Sequence, residues 1–259
     1  MRRASTCVAV LGLALLAMTG AAQAAPTVTL KAEAVPIPGF PHTGNIYSAG
    51  AAIKAEFTIS GKEYGGFPPP LINVNFDLPK GAKIHPSGFP TCPTSDLEPA
   101  GMGPSACPKG SAAGPVGKFL GEVAFGKEIV PEEGTIESFY KPGGGLEFFT
   151  AGHSPVSLEI LSKGHYVTGP AGFGPELISE VPLVETVPGA QDASVEKILV
   201  QAGSAIKSHG KTTYYGTLPK KGECPKGGFN IKAELTFAGL GGLTQVSVPV
   251  AYKAPCPRK

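Results

Sequence analysis

The feature that most constrains this chain is a strict alternation of apolar and polar residues in several short segments. Two of the clearest segments have their apolar residues at Ile53, Ala55, Phe57, Ile59 and at Ile231, Ala233, Leu235, Phe237. Successive side chains of a β-strand point to opposite faces, so this period of two places one set in a core and the other in water. A helix would scatter both sets around its circumference. The alternation therefore predicts an all-β protein.

The same pattern recurs along the chain, with glycine and proline between the segments. We expect strands at 27–34, 53–60, 72–78, 116–126, 135–141, 146–150, 156–162, 177–187, 195–202, 231–237 and 246–252. The 36 glycines and 27 prolines are typical of the turns that connect such strands. A single helical turn is expected at 95–98, because Pro99 and Gly101 oppose its extension.

An internal similarity suggests how the strands are grouped. Residues 53–61 read IKAEFTISG and residues 231–239 read IKAELTFAG, with six identities in nine positions. We interpret the pair as a duplicated hairpin. We therefore expect a signal peptide at 1–24 and two immunoglobulin-like β-sandwich modules, at 25–126 and 127–259, divided near 126–134. One larger β-sandwich, with the two copies in facing sheets, is the alternative.

The N-terminus predicts export. Arg2 and Arg3 precede an apolar run at 8–18, and Ala22 and Ala24 supply the small residues that flank a signal-peptidase cut. The apolar run is too short to span a bilayer. We expect a secreted protein, extracellular or associated with the cell wall, without a transmembrane anchor.

The charge balance argues against a nucleic-acid partner. The chain has 22 basic and 20 acidic side chains, and removal of residues 1–24 takes away Arg2 and Arg3, so the expected net charge is zero. Arg258 is then the one arginine left, whereas phosphate recognition relies on arginine and a basic excess. We therefore expect the partner, if there is one, to be a cell-envelope component or another protein.

Four cysteines, each directly before a proline, are expected to form disulfides: Cys92, Cys107, Cys224 and Cys256. An even number of cysteines in an exported chain favours disulfides. Three pairings are open, and we prefer the two that close the shorter loops, Cys92–Cys107 and Cys224–Cys256. Zinc sites need ligands two to four residues apart and redox sites need Cys-x-x-Cys, and neither spacing occurs.

The segment around the second cysteine carries a family resemblance. Residues 106–114 contain Ala106-Cys107-Pro108, then Ser111 and Gly114. This string resembles an Ala-Cys-Pro-x-x-Ser-x-x-Gly pattern found in exported, β-rich actinobacterial proteins of unknown function. The resemblance implies export and β structure, and it assigns no functional residue.

The sequence contains no motif that carries a known chemistry. A Gly-x-Ser-x-Gly elbow is missing, no two histidines stand at the spacings of metal ligands, and the three aspartates are scattered. We therefore assign no catalytic residue, no metal ligand and no cofactor. If the protein is nevertheless a hydrolase, the first candidates are His153, Ser154, Glu159 and His165.

The tripeptide Gly-Phe-Pro occurs three times between predicted strands and marks candidate binding loops at Phe40, Phe67 and Phe89. Aromatic loop residues on a rigid sheet can form a recognition surface. The preferred interpretation is that each phenylalanine folds inward and plugs the end of the sheet, because phenylalanine is mostly buried in proteins.

Three functions follow from these patterns. The first is a secreted, non-catalytic β-sandwich protein that acts by surface contact or as a structural component, in or outside the cell envelope. The second is an extracellular hydrolase of glycans or esters. The third is a carrier of a small ligand, which a large continuous apolar cavity would mark. We expect the first, and therefore not an enzyme.

Overall fold

The computed structural model describes residues 25–40, 50–125, 128–154 and 156–257. The strands are β1 (Thr27–Val35), β2 (Ala52–Ser60), β3 (Leu71–Pro79), β4 (Lys83–Ile84), β5 (Gly117–Phe125), β6 (Glu128–Tyr140), β7 (Leu146–Ser154), β8 (Leu158–Thr168), β9 (Phe173–Glu180), β10 (Ser194–Ala202), β11 (Ala205–Ser208), β12 (Lys211–Tyr214), β13 (Gly216–Thr217), β14 (Phe229–Phe237) and β15 (Val246–Ala254). The helical part is one α-helical turn, α1 (Thr94–Leu97), and two 3-10 turns at Pro104–Ala106 and Lys221–Glu223. The prediction of an all-β protein is confirmed.

Eleven of the strands form one antiparallel sheet. Its hydrogen-bonded order is β1-β2-β10-β5-β6-β7-β8-β9-β3-β14-β15. The short strands form two separate pairs, β4 with β13 and β11 with β12. The strands at the two ends of the long order, β1 and β15, also lie beside each other, with Cα atoms within 8 Å. The inner face of the sheet therefore surrounds an interior, while the sandwich arrangement stays a prediction.

The alternation decides which side chains fill that interior. On β14 the inward residues are Ile231, Ala233, Leu235 and Phe237, and all four are buried. They belong to one hydrophobic cluster with inward residues of β1, β2 and β3. A slip of one residue in the pairing would turn this apolar set outward, so the pattern fixes the register as well as the strand.

Several expected elements have different limits in the structure, and the differences are largest in β6 and β9. β6 begins at Glu128 rather than at residue 135, so most of the segment 126–134 belongs to a strand that pairs with β5. β9 ends at Glu180 rather than at residue 187, and Pro182, which has no N–H to donate to a neighbouring strand, follows soon after.

The proposed division of the chain lies outside the described residues, since residues 126 and 127 are not among them, and it stays a prediction. The expected signal peptide at 1–24 lies outside them too. Strands from both sides of the division alternate in the sheet: β2 pairs with β10, and β3 pairs with β9 and β14. In the first copy of the repeat, β2 pairs with β1 and β10 rather than with β3, so a hairpin follows only the second copy, as β14–β15.

The disulfides have the preferred pairing, Cys92–Cys107 and Cys224–Cys256. The first closes the segment that contains α1 and holds it against the outer face of β6, β7 and β8. Leu97, Phe139 and Phe149 are buried in that contact. Closing a loop of about 15 residues contributes about 3 kcal/mol by limiting the entropy of the unfolded chain. None of the described helices is long and apolar enough to cross a membrane.

Candidate functional site

The inner face of the sheet lines an apolar cavity. Its volume is about 140 Å³, measured as the space open to the centre of a water-sized sphere. Nine strands contribute to its wall: β2, β3, β4, β6, β7, β8, β9, β10 and β13. Because strands from distant parts of the sheet face the same space, the cavity is a property of the whole fold.

Inward residues of paired strands form its walls. On one side, Phe57 of β2 lies opposite Ile198 of β10, and Ala55 lies opposite Val200. On the other side, Phe76 of β3 lies opposite Leu177 of β9. Ile198, Val200 and Leu177 point inward and yet are only half-buried, because part of their surface borders the cavity.

Size and lining together make the cavity a poor place for water. A water molecule needs about 10–15 Å³ by this measure, so the space has room for on the order of ten of them. A buried water needs two to four polar partners, and most of this lining offers none. The cavity is therefore better suited to a small apolar ligand than to solvent.

Four hydroxyl groups interrupt the apolar lining. Ser162 and Tyr166 lie on β8, Ser179 lies on β9, and Tyr215 lies between β12 and β13. Gly164 of β8 lies opposite Ser179, and Tyr166 lies opposite Leu177, so the first three side chains occupy one stretch of wall. We call Ser162, Tyr166 and Ser179 the hydroxyl patch. In the described residues, no Lys, Arg, His, Asp or Glu side chain lines the cavity.

An aromatic cluster closes one end of the cavity. The Tyr140 and Tyr215 rings are 4.2 Å apart between centroids, and the Phe89 ring is 5.0 and 5.3 Å from them. The Tyr140 hydroxyl is hydrogen-bonded to Ser204 Oγ at 2.7 Å, and the Tyr215 hydroxyl donates to the carbonyl of Gly145 at 3.3 Å.

Burial controls the ionisation of these tyrosines. It raises the pKa of Tyr215 to about 12 and raises the pKa of Tyr140 further. Burial also raises the pKa of Tyr166 well above the ordinary value, and the nearby Tyr215 adds to the effect. Tyr166 is only half-buried by surface exposure, but the surface it exposes borders the cavity rather than bulk water. At neutral pH this end of the cavity therefore presents uncharged hydroxyls.

An outer cleft lies on the other side of the aromatic cluster. Its volume is about 270 Å³ by the same measure, and its wall includes Pro86, Ser87, Lys141, the glycines 143–145 and Tyr215. The three glycines have φ angles of 81°, 95° and 106°, which side chains other than glycine rarely adopt. Tyr215 borders both spaces and so separates the outer cleft from the apolar cavity.

The candidate binding loops hold their phenylalanines mostly inside. Phe67 is 2% exposed and packs edge-on against Tyr64, and Phe89 is 6% exposed in the aromatic cluster. Phe40 is half-buried, beside Tyr214 and with Lys207 Nζ 5.6 Å from its ring centroid. These positions agree with inward packing, and a recognition role of the three loops stays a prediction.

The structure separates the hydrolase candidates. Gly152 pairs with Leu158, so His153 and Ser154 lie at the turn of the β7–β8 hairpin together with Glu159. His165 lies near the far end of β8, roughly 25 Å from that turn at 3.3 Å per residue. His153 and His165 are both exposed, and His153 Nε2 contacts Thr135 Oγ1 at 3.2 Å. Among the described residues, no three His, Cys, Asp or Glu side chains are grouped so as to hold a metal ion.

Two buried carboxylates are part of the scaffold. Glu132 accepts hydrogen bonds from the backbone N–H groups of Ser154 and Val156, at 3.0 and 3.1 Å. Glu147 accepts one from Thr94 Oγ1 at 2.6 Å, which ties β7 to α1. Glu147 lies between Leu146 and Phe148, whose side chains face the cavity, so its own side chain lies on the outer face of β7.

Sequence reasoning missed the four hydroxyl residues. The signal was present in 158–168, where the inward phase of β8 carries Ser162, Gly164 and Tyr166 instead of large aliphatic residues. Polar residues at inward positions mark a place where the interior is not packed like a core. Tyr215 follows a short strand and has no comparable signal.

With this geometry established, the comparisons with known proteins add no relative: no protein-family model matches the sequence, and neither a curated protein nor a solved structure matches it.

Proposed function

We propose that this protein binds a small apolar molecule in the cavity enclosed by its sheet and acts as an exported carrier. The cavity carries the proposal, since a continuous apolar space is the feature that distinguishes a carrier from the surface-contact and hydrolase alternatives. Natural cores are packed to the density of organic crystals, so an unfilled space of this size is unusual and supports a role in binding.

Two further observations support the proposal. Ligand sites are mostly apolar with a few polar groups that fix orientation, and this cavity combines aliphatic and aromatic walls with the hydroxyl patch. The two disulfides fit an oxidising compartment, which supports export.

Naphthalene is a suitable first probe, because it has ten non-hydrogen atoms and its emission can be followed in a protein without tryptophan. We expect saturable binding of one molecule per chain and a rise in Tm. A ligand that binds only the folded state stabilises it by about 2.7 kcal/mol at a concentration of one hundred times Kd.

A matched pair of variants locates the binding. Ala55→Leu adds three carbons inside the cavity and should abolish binding, whereas Ala251→Leu adds the same carbons on the exposed face of β15 and should leave it intact. Naphthalene binding that is equal in both variants would place the ligand elsewhere. A folded wild-type protein that takes up no apolar probe would retire the proposal.

A further inference from the structure

We infer that the natural ligand is an uncharged molecule that carries one hydroxyl or carbonyl group, held by Ser162 and Ser179 on the wall formed by β8 and β9. This inference rests on the proposed function and adds the chemical class of the ligand. Alcohols, ketones and esters of about ten non-hydrogen atoms fit the volume.

The register places the two serines where one polar group can reach both. Ser179 lies opposite Gly164, and Ser162 is two residues before Gly164 on the same strand, so both side chains point inward as diagonal neighbours. Such neighbours are about 7 to 8 Å apart at their backbones, and their side chains lie closer when they lean together. Ser162 and Ser179 are 8% and 7% exposed, so their hydroxyls meet the cavity rather than bulk solvent.

The serine hydroxyl suits both kinds of ligand group. It can donate a hydrogen bond to a carbonyl oxygen and accept one from an alcohol. Tyr166, on the same stretch of wall, adds a third hydroxyl that stays protonated at neutral pH. A polar ligand group therefore finds partners on this wall, whereas the opposite wall of β2 and β10 offers only apolar side chains.

The lining also excludes charged ligands. An ion that leaves water for an apolar interior loses several kcal/mol of hydration unless an opposite charge compensates it. Among the described residues that line the cavity there is neither a basic side chain for a carboxylate nor an acidic one for an amine. The cavity therefore selects a neutral head group, and a fatty-acid anion is the ligand it should reject.

Two probes that differ in the head group alone test this selection. In competition with naphthalene, we expect 1-octanol to bind at least tenfold more tightly than octanoate at pH 8. The difference should shrink below about pH 4, where a carboxyl group takes up its proton. Octanoate that binds as tightly as 1-octanol at pH 8 would overturn the inference while leaving the proposed function intact. Failure of naphthalene itself would instead remove the proposed function.

Variants of the wall test the two serines. The double variant Ser162→Ala with Ser179→Ala should weaken the binding of 1-octanol about fivefold or more, since the hydrogen bonds to its hydroxyl group are lost. Naphthalene should bind this variant as well as the wild type, which separates a lost hydrogen bond from a damaged fold. Ser60→Ala, at an exposed residue at the end of β2, is the matched control and should leave the affinity for both ligands unchanged. Unchanged 1-octanol affinity in the double variant would overturn the assignment of the serines.

Discussion

Two strands of this protein have nearly the same sequence and lie in different surroundings. β2 contains IKAEFTIS and β14 contains IKAELTF, and the inward positions correspond as Ile53 with Ile231 and Ala55 with Ala233. On β14 both are closely packed, at 3% and 0% exposure. On β2, Ile53 is half-buried and Ala55 is 6% exposed, and both residues border the cavity.

The neighbours account for the difference. β14 lies between β3 and β15, close to the junction where β15 meets β1, and its side chains pack against apolar residues from all of these strands. β2 lies between β1 and β10. Its Phe57 ring packs against Phe76 of β3, 6.2 Å between centroids, whereas Ile53 and Ala55 border the cavity. The alternation in a strand thus decides which face is inward, while the filling of that interior depends on strands elsewhere in the chain.

Truncation of the corresponding isoleucines should give the largest contrast. Ile231→Ala leaves a hole in a filled region and should lower the free energy of unfolding by about 4 kcal/mol, near the upper part of the usual range. Ile53→Ala enlarges a space that already exists, and because fewer packing contacts are lost it should cost about 1 to 2 kcal/mol. Urea denaturation of both variants measures the difference, and equal losses would mean that β2 is packed as tightly as β14.

The same contrast shows how far sequence reasoning reaches. Eleven strands were predicted from alternation, and the structure contains a strand at each place, because a period of two persists over five or more residues there. β4 and β13 have two residues each and β11 and β12 have four, which is too short for a period to show. Local pattern therefore identified the long strands and missed the short ones.

The cavity could not be predicted from the sequence, and the reason is physical. Its walls depend on pairings such as Ala55 with Val200, which are far apart in the chain and are decided by the order of the whole sheet. The carrier alternative named an apolar cavity as its mark, but the residues of the cavity wall could not be chosen from the sequence. Cysteine pairing was easier, because loop closure favours the nearest partners.

The ionisation of Tyr215, at the end of the cavity, reports whether water reaches the space beside β2. The pKa of Tyr215 is about 12 in the folded protein and about 10 in an unfolded chain, so the folded state holds this proton more tightly. This contribution to stability is complete below about pH 10 and is lost as the pH rises toward 12, by roughly 3 kcal/mol in total.

Urea denaturation between pH 9 and 12 checks this loss, with Tyr215→Phe as the comparison. The variant has no hydroxyl at this position to ionise, so its stability should fall less steeply over the same interval. Absorbance at 295 nm reports tyrosinate formation directly. Ionisation of Tyr215 near pH 10 would show that water reaches the aromatic cluster, and the cavity would then resemble the cleft outside it.

Insertion of side-chain volume at the corresponding alanines gives the smallest effect and the sharpest comparison. Ala233→Leu forces three carbons into a filled region and should cost about 2 kcal/mol, within the usual range for an overpacked core. Ala55→Leu directs the same carbons toward the cavity, which should accommodate them, so the free energy of unfolding should change by less than about 0.5 kcal/mol. Because both alanines lie in the same sequence context, IKAE, strand propensity and local charge cancel in the comparison. Equal destabilisation of the two variants would show that the space beside β2 is not available to added atoms, and the case for a ligand there would fail with it.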